Sequence, residues 1–274
     1  MAMGTEAGAP AVALTIAGSD SGGGAGIQAD LKTFTVLGVY GMSVITAVTA
    51  QDTVGVRDVR MMEREFVAAQ MDAVLGDIGC DAVKTGMLGT AEIVEEVASG
   101  LVTYRAPNVV VDPVMIAKSG DRLLAEDARI AVIEHLLPVA RLVTPNLPEA
   151  DALLGGEVTR GTMEEAARAL CEMGAEAALI KGGHLGGRTA VDLLYDTETG
   201  RVSRYYAPRI ETENTHGTGC TFSAAIAAFL ARGWRLERAV AWGKRFVTEA
   251  IRRGLPLGEG HGPTDHIGAG RMFD

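Results

Sequence analysis

Short β-branched runs alternate with longer helical stripes along most of this 274-residue chain, and that alternation constrains its fold more than any other feature. Residues 11–17, 44–48, 81–85, 108–112, 141–144 and 177–181 read as strands. Several are apolar nearly throughout, as strands covered on both faces must be. Between them, residues 26–37, 64–78, 91–98, 125–136 and 163–173 space their apolar side chains three and four apart, the pattern of helices with one buried stripe. Strand-helix alternation over this length predicts an α/β fold: a mostly parallel sheet with helices on both faces. Two polar-interrupted runs, 190–195 and 202–207, flank Asp196-Thr-Glu-Thr-Gly200 and predict a hairpin added at a sheet edge. With 47% hydrophobic residues the chain can bury one large core, so residues 11–274 are expected to form a single domain after a frayed leader of ten residues.

Composition narrows the partners. A formal net charge of -10, with no block rich in Lys or Arg, argues against nucleic acid and anionic membranes and leaves small molecules. Cys80, Cys171 and Cys220 are scattered singly, without Cys-x-x-Cys or Cys/His spacing, so neither a disulfide framework nor a structural metal is expected. A reducing cytoplasm fits that usage. Neither a signal peptide nor an apolar run of membrane-spanning length stands out.

Sheets of this kind gather ligands at the carboxyl ends of their strands, and two glycine loops fall there. The first, Gly18-Ser-Asp-Ser-Gly-Gly-Gly-Ala-Gly-Ile-Gln-Ala-Asp30, contains Gly24-x-Gly26-x-x-Ala29, formally a dinucleotide fingerprint. Six residues separate Gly24 from the predicted strand end at Ala17, which weakens that reading, and no Gly-Lys-Ser/Thr closes a P-loop. Asp20, Gln28 and Asp30 instead offer hydrogen-bond partners for a small polar ligand, against the alternative of a flexible turn. The second loop, Asn214-Thr-His-Gly-Thr-Gly-Cys220, opens a helix whose apolar positions are 222, 225, 226, 229 and 230 and which ends near Gly233. Gly217, Thr218 and Gly219 therefore sit where unpaired first-turn amides and the helix dipole can bind an anion. Cys220 shares that field, which favours a reactive thiolate over an inert core thiol.

Eight segments are together similar to one family. They are Thr15–Lys32, Ala50-Gln-Asp-Thr53, Lys84-Thr-Gly-Met-Leu88, Asp112-Pro-Val-Met115, Ala117-Lys-Ser-Gly120, Thr144-Pro-Asn-Leu-Pro-Glu149, Lys181-Gly-Gly-His184 and Asn214–Cys220. In that order they resemble the motifs of hydroxymethylpyrimidine/phosphomethylpyrimidine kinases of the ribokinase-like superfamily, over about residues 12 to 266. The resemblance implies a three-layer α/β/α kinase of thiamine biosynthesis that uses ATP and Mg²⁺, as a homodimer. It phosphorylates 4-amino-5-hydroxymethyl-2-methylpyrimidine and then the monophosphate. It assigns Gly217, Thr218 and Gly219 to the anion hole and Cys220 to the catalytic base, a position where most of the superfamily carries aspartate. Glu149 would organise Mg²⁺ through water, with Asn146 in the same element; Asp112 would share the metal-phosphate environment and Lys181 would meet the ATP phosphates. Gln51 would read the aminopyrimidine edge, with Asp30, Met87 and Gly18 around the same pocket.

Blander readings accompany these. Glu149 could be a first-turn acid that the helix dipole favours, and Met87 plain core. His184 and His216, lacking an acidic partner in their motifs, read as structural. Lys118-Ser-Gly120 reads as either a flap or an ordinary surface loop. Three functional rivals stand beside the pyrimidine kinase: a pyridoxal or pyridoxine kinase, a nicotinamide-dependent oxidoreductase resting on the glycine fingerprint, and a non-catalytic metabolite sensor.

Overall fold

The computed structural model describes residues 9–115, 126–183 and 186–273. Most of the expected leader, the Lys118-Ser-Gly120 segment and His184 lie outside the described residues.

Among the described residues, nine strands form one sheet: β1 (Val12–Asp20), β2 (Tyr40–Gln51), β3 (Val56–Met61), β4 (Ala82–Thr85), β5 (Val109–Val111), β6 (Leu142–Val143), β7 (Ala177–Lys181), β8 (Thr189–Asp196) and β9 (Arg201–Pro208). Their order is β3-β2-β1-β4-β5-β6-β7-β8-β9. The pairs from β2 through β7 are parallel, while β3, β8 and β9 add antiparallel edges. The expected hairpin is β8–β9, joined around Thr197–Gly200 and paired from Asp196↔Arg201 outward. All four residues of β4 and all three of β5 are buried, which is why these strands read as unbroken apolar runs apart from Lys84.

Helices cover both faces. On one side α2 (Arg64–Asp77), α3 (Ala91–Thr103), α4 (Glu126–Ala131), α5 (Leu147–Leu154) and α6 (Met163–Glu172) pack Met71, Val97, Leu153 and Leu170 onto Leu14, Val83 and Val111. On the other, α1 (Gly26–Val36), α7 (Thr218–Ala231), α8 (Leu236–Arg252) and α9 (His266–Gly270) pack Phe34, Ile226, Phe229 and Phe246 onto Ala13, Ala82 and Val110. The result is the three-layer α/β/α architecture.

Four expectations change. Strand β1 runs to Asp20, leaving three residues before Gly24 where the sequence suggested six. The stripe at 125–136 breaks into α4 and a π turn at Val132–Leu136, followed by a 3₁₀ turn at Leu137–Val139. Strand β3 escaped notice because Arg57, Asp58 and Arg60 point outward from an edge with little apolar content. Helix α8 was not anticipated either, although Leu236, Ala239, Val240, Gly243, Phe246, Val247 and Ala250 repeat at helical spacing and are buried against α7.

Candidate active site

Apart from Asp30, which lies within α1, the candidate residues lie at or just beyond the carboxyl edge of the parallel strands or on the amino-terminal turn of α7. Gly217 caps that helix at φ +78°, and a Cβ there would collide with the Gly24 carbonyl oxygen, so only glycine fits. With glycine at the cap, the helix start has no capping side chain of its own. The Thr218 amide is taken by the Thr215 carbonyl at 3.3 Å, and its hydroxyl by the same carbonyl at 2.7 Å. The Gly219 and Cys220 amides therefore carry the anion-binding capacity, with Thr218 holding the turn. A Cβ on Gly219 would stand 3.6 Å from Lys181 Nζ and 3.7 Å from Asp112 Oδ2, so this turn faces a charged pair directly.

That pair is the centre of the phosphate side. Lys181, the last residue of β7, donates to Asp112 Oδ1 at 2.8 Å and stands 3.7 Å from Glu149 Oε2. Asp112, just past β5, also accepts from Thr144 (3.2 Å) and from Ser223 of α7 (3.0 Å). Burial alone would raise its carboxyl, but Lys181 and Lys84 hold it below the usual carboxylate range. Glu149 behaves oppositely: burial pushes it up to about 7, with Lys181 pulling down and Asp112 pushing up. Its position is fixed by a reciprocal capping box, in which Asn146 N donates to Glu149 Oε2 (2.7 Å) and Glu149 N to Asn146 Oδ1 (2.9 Å). Asn146 is thus occupied in placing Glu149. Lys181 is tied to the same turn by its own amide, which donates to the Pro145 carbonyl at 2.8 Å. Burial opposes the Lys181 charge, yet Asp112 and Glu149 carry its ammonium above the ordinary range.

On the acceptor side, Gly18 lies at the irregular step in the β1–β2 register, where a Cβ would be 3.5 Å from both Met87 Sδ and Cε. Met87 is only partly buried, unlike Leu88 beside it, so it fits a pocket wall better than plain core. Gln51 ends β2, with Oε1 accepting from Thr49 at 3.2 Å and its side chain facing a small cleft with Thr53 and His216.

Asp30 differs from expectation. It has no exposed surface, accepts from Lys84 Nζ (2.8 Å) and Thr15 Oγ1 (2.6 Å), and so lies beneath the pocket and not on its wall. Burial raises its carboxyl and Lys84 opposes that. Lys84, equally buried, keeps its charge despite desolvation because the Asp30 and Asp112 carboxylates favour the ammonium. The motif reading gave Lys84 no role, although a lysine inside an otherwise apolar central strand was a visible signal. Ser223 and Thr144 were also passed over; alcohol side chains near a strand end or inside a helix carry little signal of their own.

Cys220 itself requires a correction. Burial pushes its thiol up to about 11, Lys84 pulls down, Asp30 and Asp112 push up, and the Gly26 amide favours the thiolate. Two buried carboxylates and desolvation outweigh the helix terminus, so in the substrate-free site Cys220 is a thiol at neutral pH.

The first glycine loop is spent on itself. Asp20 Oδ1 accepts from Gly22 (2.8 Å), and Oδ2 accepts from Gly24 (3.0 Å), Ala25 (2.8 Å) and His216 Nε2 (2.8 Å). Gln28 accepts from the Asp20 amide and donates to Ser19. The amides that a dinucleotide pyrophosphate would need already serve Asp20, which removes the basis of the oxidoreductase rival. His216, read as lacking an acidic partner, has one in Asp20, 196 residues away in sequence.

Among the described residues, no three His, Cys, Asp or Glu side chains converge as a metal cage. Two neighbouring buried carboxylates, one titrating near neutrality, fit Mg²⁺, which takes one or two carboxylates and completes its shell with water and phosphate oxygens. Also among the described residues, no helix is long and apolar enough to cross a membrane.

Comparison with known proteins agrees with this arrangement. The hydroxymethylpyrimidine/phosphomethylpyrimidine kinase of Rhizobium meliloti is 54% identical over 262 residues, covering 94% of this chain and 97% of that protein. The thiamine biosynthesis bifunctional protein ThiED of Geobacter sulfurreducens is 54% identical over 255 residues, and this chain spans about half of it (52%) while 93% of this chain is matched. Among solved structures, the pyridoxal kinase from Staphylococcus aureus in complex with AMP-PCP and pyridoxal superposes with a TM-score of 0.89 at 39% identity, covering 97% of this chain and 96% of that one. The family model for phosphomethylpyrimidine kinase matches residues 20–265, and the chain belongs to that family.

Proposed function

We propose that this chain is an ATP-dependent kinase that phosphorylates the hydroxymethyl group of 4-amino-5-hydroxymethyl-2-methylpyrimidine and then the resulting monophosphate, in thiamine biosynthesis. The observation that carries the reading is the meeting of the uncapped α7 turn with Lys181 and Asp112, which gathers anion-binding amides and a cation beside a candidate base. Phosphoryl transfer needs positioning and charge neutralisation above all, and this arrangement offers both.

In this reading, Lys181 neutralises the ATP phosphates and the Gly219 and Cys220 amides hold the phosphoryl group in transit. Glu149 and Asp112 would hold Mg²⁺, which supplies further charge neutralisation when bound. Gln51, Met87 and Gly18 line the acceptor pocket, and Cys220 in its minor thiolate form receives the hydroxyl proton as the O–P bond forms. A homodimer in a reducing cytoplasm is part of the same reading; the three unpaired cysteines support the compartment, and family resemblance alone supports the dimer.

The test is ADP release with the pyrimidine alcohol, run beside pyridoxal and pyridoxine. A kcat/KM for the pyrimidine alcohol above those for the pyridoxine-type substrates is expected. The reverse order would convert the assignment to a pyridoxal kinase, the second reading that the 39%-identical structural neighbour favours.

A further inference from the structure

The two glycine loops are joined by one buried contact that the kinase reading leaves without a task. Asp20 ends β1 and gathers the amides of Gly22, Gly24 and Ala25, while its Oδ2 also meets His216 Nε2 at 2.8 Å. His216 directly precedes Gly217, the residue that caps α7. It is pinned from behind, its amide donating to the Gly262 carbonyl (3.0 Å) and its carbonyl accepting from Thr264 (3.3 Å). The side chains of both partners are nearly closed to solvent, at 12% exposure for His216 and 3% for Asp20.

The contact sets a register. A Cβ on Gly24 would overlap the His216 ring, and a Cβ on Gly217 would overlap the Gly24 carbonyl, so the Gly24 backbone is pressed against both the ring and the Gly217 backbone. Two residues on, the Gly26 amide is a group whose dipole favours the Cys220 thiolate. The chain from Asp20 to Gly26 thus leads from the His216 contact to the thiol.

We infer that the Asp20–His216 pair is a positioning latch: it holds the acceptor-side loop against the amino-terminal turn of α7, so that the Gly26 amide and the anion-binding amides meet Cys220 in one fixed geometry. The inference rests on the kinase reading for its effect on turnover, but not for its effect on the thiol. Besides the Gly26 amide, the charged groups that act on that thiol are Lys84, Asp30, Asp112 and Lys181, and none of them belongs to the latch.

The experiment uses the full chain with Cys80→Ser and Cys171→Ser, which leaves Cys220 as the only thiol. His216→Phe keeps the ring volume and removes the hydrogen bond, whereas His216→Gln keeps a donor of similar reach. With His216→Phe, kcat on the pyrimidine alcohol should fall about tenfold or more, the cost of losing a group that orients the acid-base partner. KM for ATP should stay within about twofold, because Lys181 and Asp112 are untouched. Alkylation of Cys220 by iodoacetamide at fixed pH should slow about threefold or more, and His216→Gln should recover most of both losses. Parental turnover and alkylation in His216→Phe, or equal damage in the Phe and Gln variants at equal melting temperature, would overturn the latch. If His216→Phe does not fold, His216→Asn, which falls short of Asp20, serves in its place with the same expectations. A parent chain that releases no ADP with the alcohol would count against the kinase reading alone, since the alkylation arm tests the latch without turnover.

Discussion

At the scale of single residues, the site is a contest between burial and charge, and Cys220 is where the outcome matters most. A thiol pushed up to about 11 is almost entirely protonated at pH 7, so a base role requires the rare thiolate. The sign follows: thiolate rises about tenfold per pH unit below that value, and a step using it should accelerate with pH from 6.5 to 9. The first transfer, whose acceptor hydroxyl must lose a proton, should show that slope in single-turnover measurements. The second, whose phosphate acceptor is already anionic, should be much flatter. Cys220→Ala should correspondingly slow the first transfer far more than the second, and equal losses in the two rates would remove the base assignment. Beneath the thiol, Lys84 and Asp30 make an ion pair with no exposed surface. Removing one partner strands a buried charge, so Lys84→Met should lower the unfolding free energy in denaturant titration by about 3–5 kcal/mol. A loss under about 1 kcal/mol would mean that Asp30 is already neutral. These residues mark the limit of motif reading. The glycines and Cys220 were legible because their spacing implies a turn and a helix start, and Lys181 through the family resemblance, whereas the Asp20–His216 contact spans 196 residues and leaves no local trace.

At the scale of elements, legibility followed burial. The two-sided strands β4, β5 and β7 announced themselves through apolar runs, and β3 did not, because an edge strand carrying Arg57, Asp58 and Arg60 has no buried face to impose a pattern. Helix α5 shows how an element can be both structure and site. Its capping box satisfies two backbone amides and in doing so aims Glu149 at Lys181. The first-turn-acid reading of Glu149 and the functional one are therefore compatible. The carboxyl pays for that position in desolvation, and its pKa of about 7, against 4.5 normally, gives a measurable pH dependence. Between pH 4.5 and 7 the folded chain binds more protons here than the unfolded chain, so this group makes stability fall as pH rises through that window. Glu149→Gln keeps a carbonyl for the Asn146 amide and cannot ionise. In Mg²⁺-free denaturant titrations, it should gain stability relative to the parent by about 3 kcal/mol between pH 4 and pH 8. A difference between the two chains that does not change with pH would show that Glu149 titrates normally.

At the scale of the whole molecule, strand order divides the labour. Gln51 ends β2 and Lys181 ends β7, separated in the sheet by β1, β4, β5 and β6. Five inter-strand steps of about 4.8 Å put the two strands about 24 Å apart, too far for one small substrate to be gripped by both. Helix α7 packs across the strands between them, on β1, β4 and β5, and delivers its amino-terminal turn to the middle. In the proposed reading, the doubly wound sheet presents an acceptor half and a phosphate half, with the transfer point on the helix that bridges them. The alternation of strands and helices implied such an edge, but the order of strands along it comes from long-range pairing that no local pattern encodes. Kinetic effects should separate along the same line. Gln51→Ala should raise KM for the pyrimidine alcohol about tenfold or more and leave KM for ATP within about twofold, as expected for a lost hydrogen bond to one substrate only. Lys181→Met should lower kcat by about 10²-fold or more and weaken ATP, with KM for the alcohol nearly unchanged. Residues that far apart with no shared partner should also act independently, so the double variant should lose the sum of the two single free-energy changes to within about 0.5 kcal/mol. Steady-state kinetics on the four chains measures all of this, and a non-additive double variant would mean that the two halves are coupled through α7 more tightly than the sheet geometry implies.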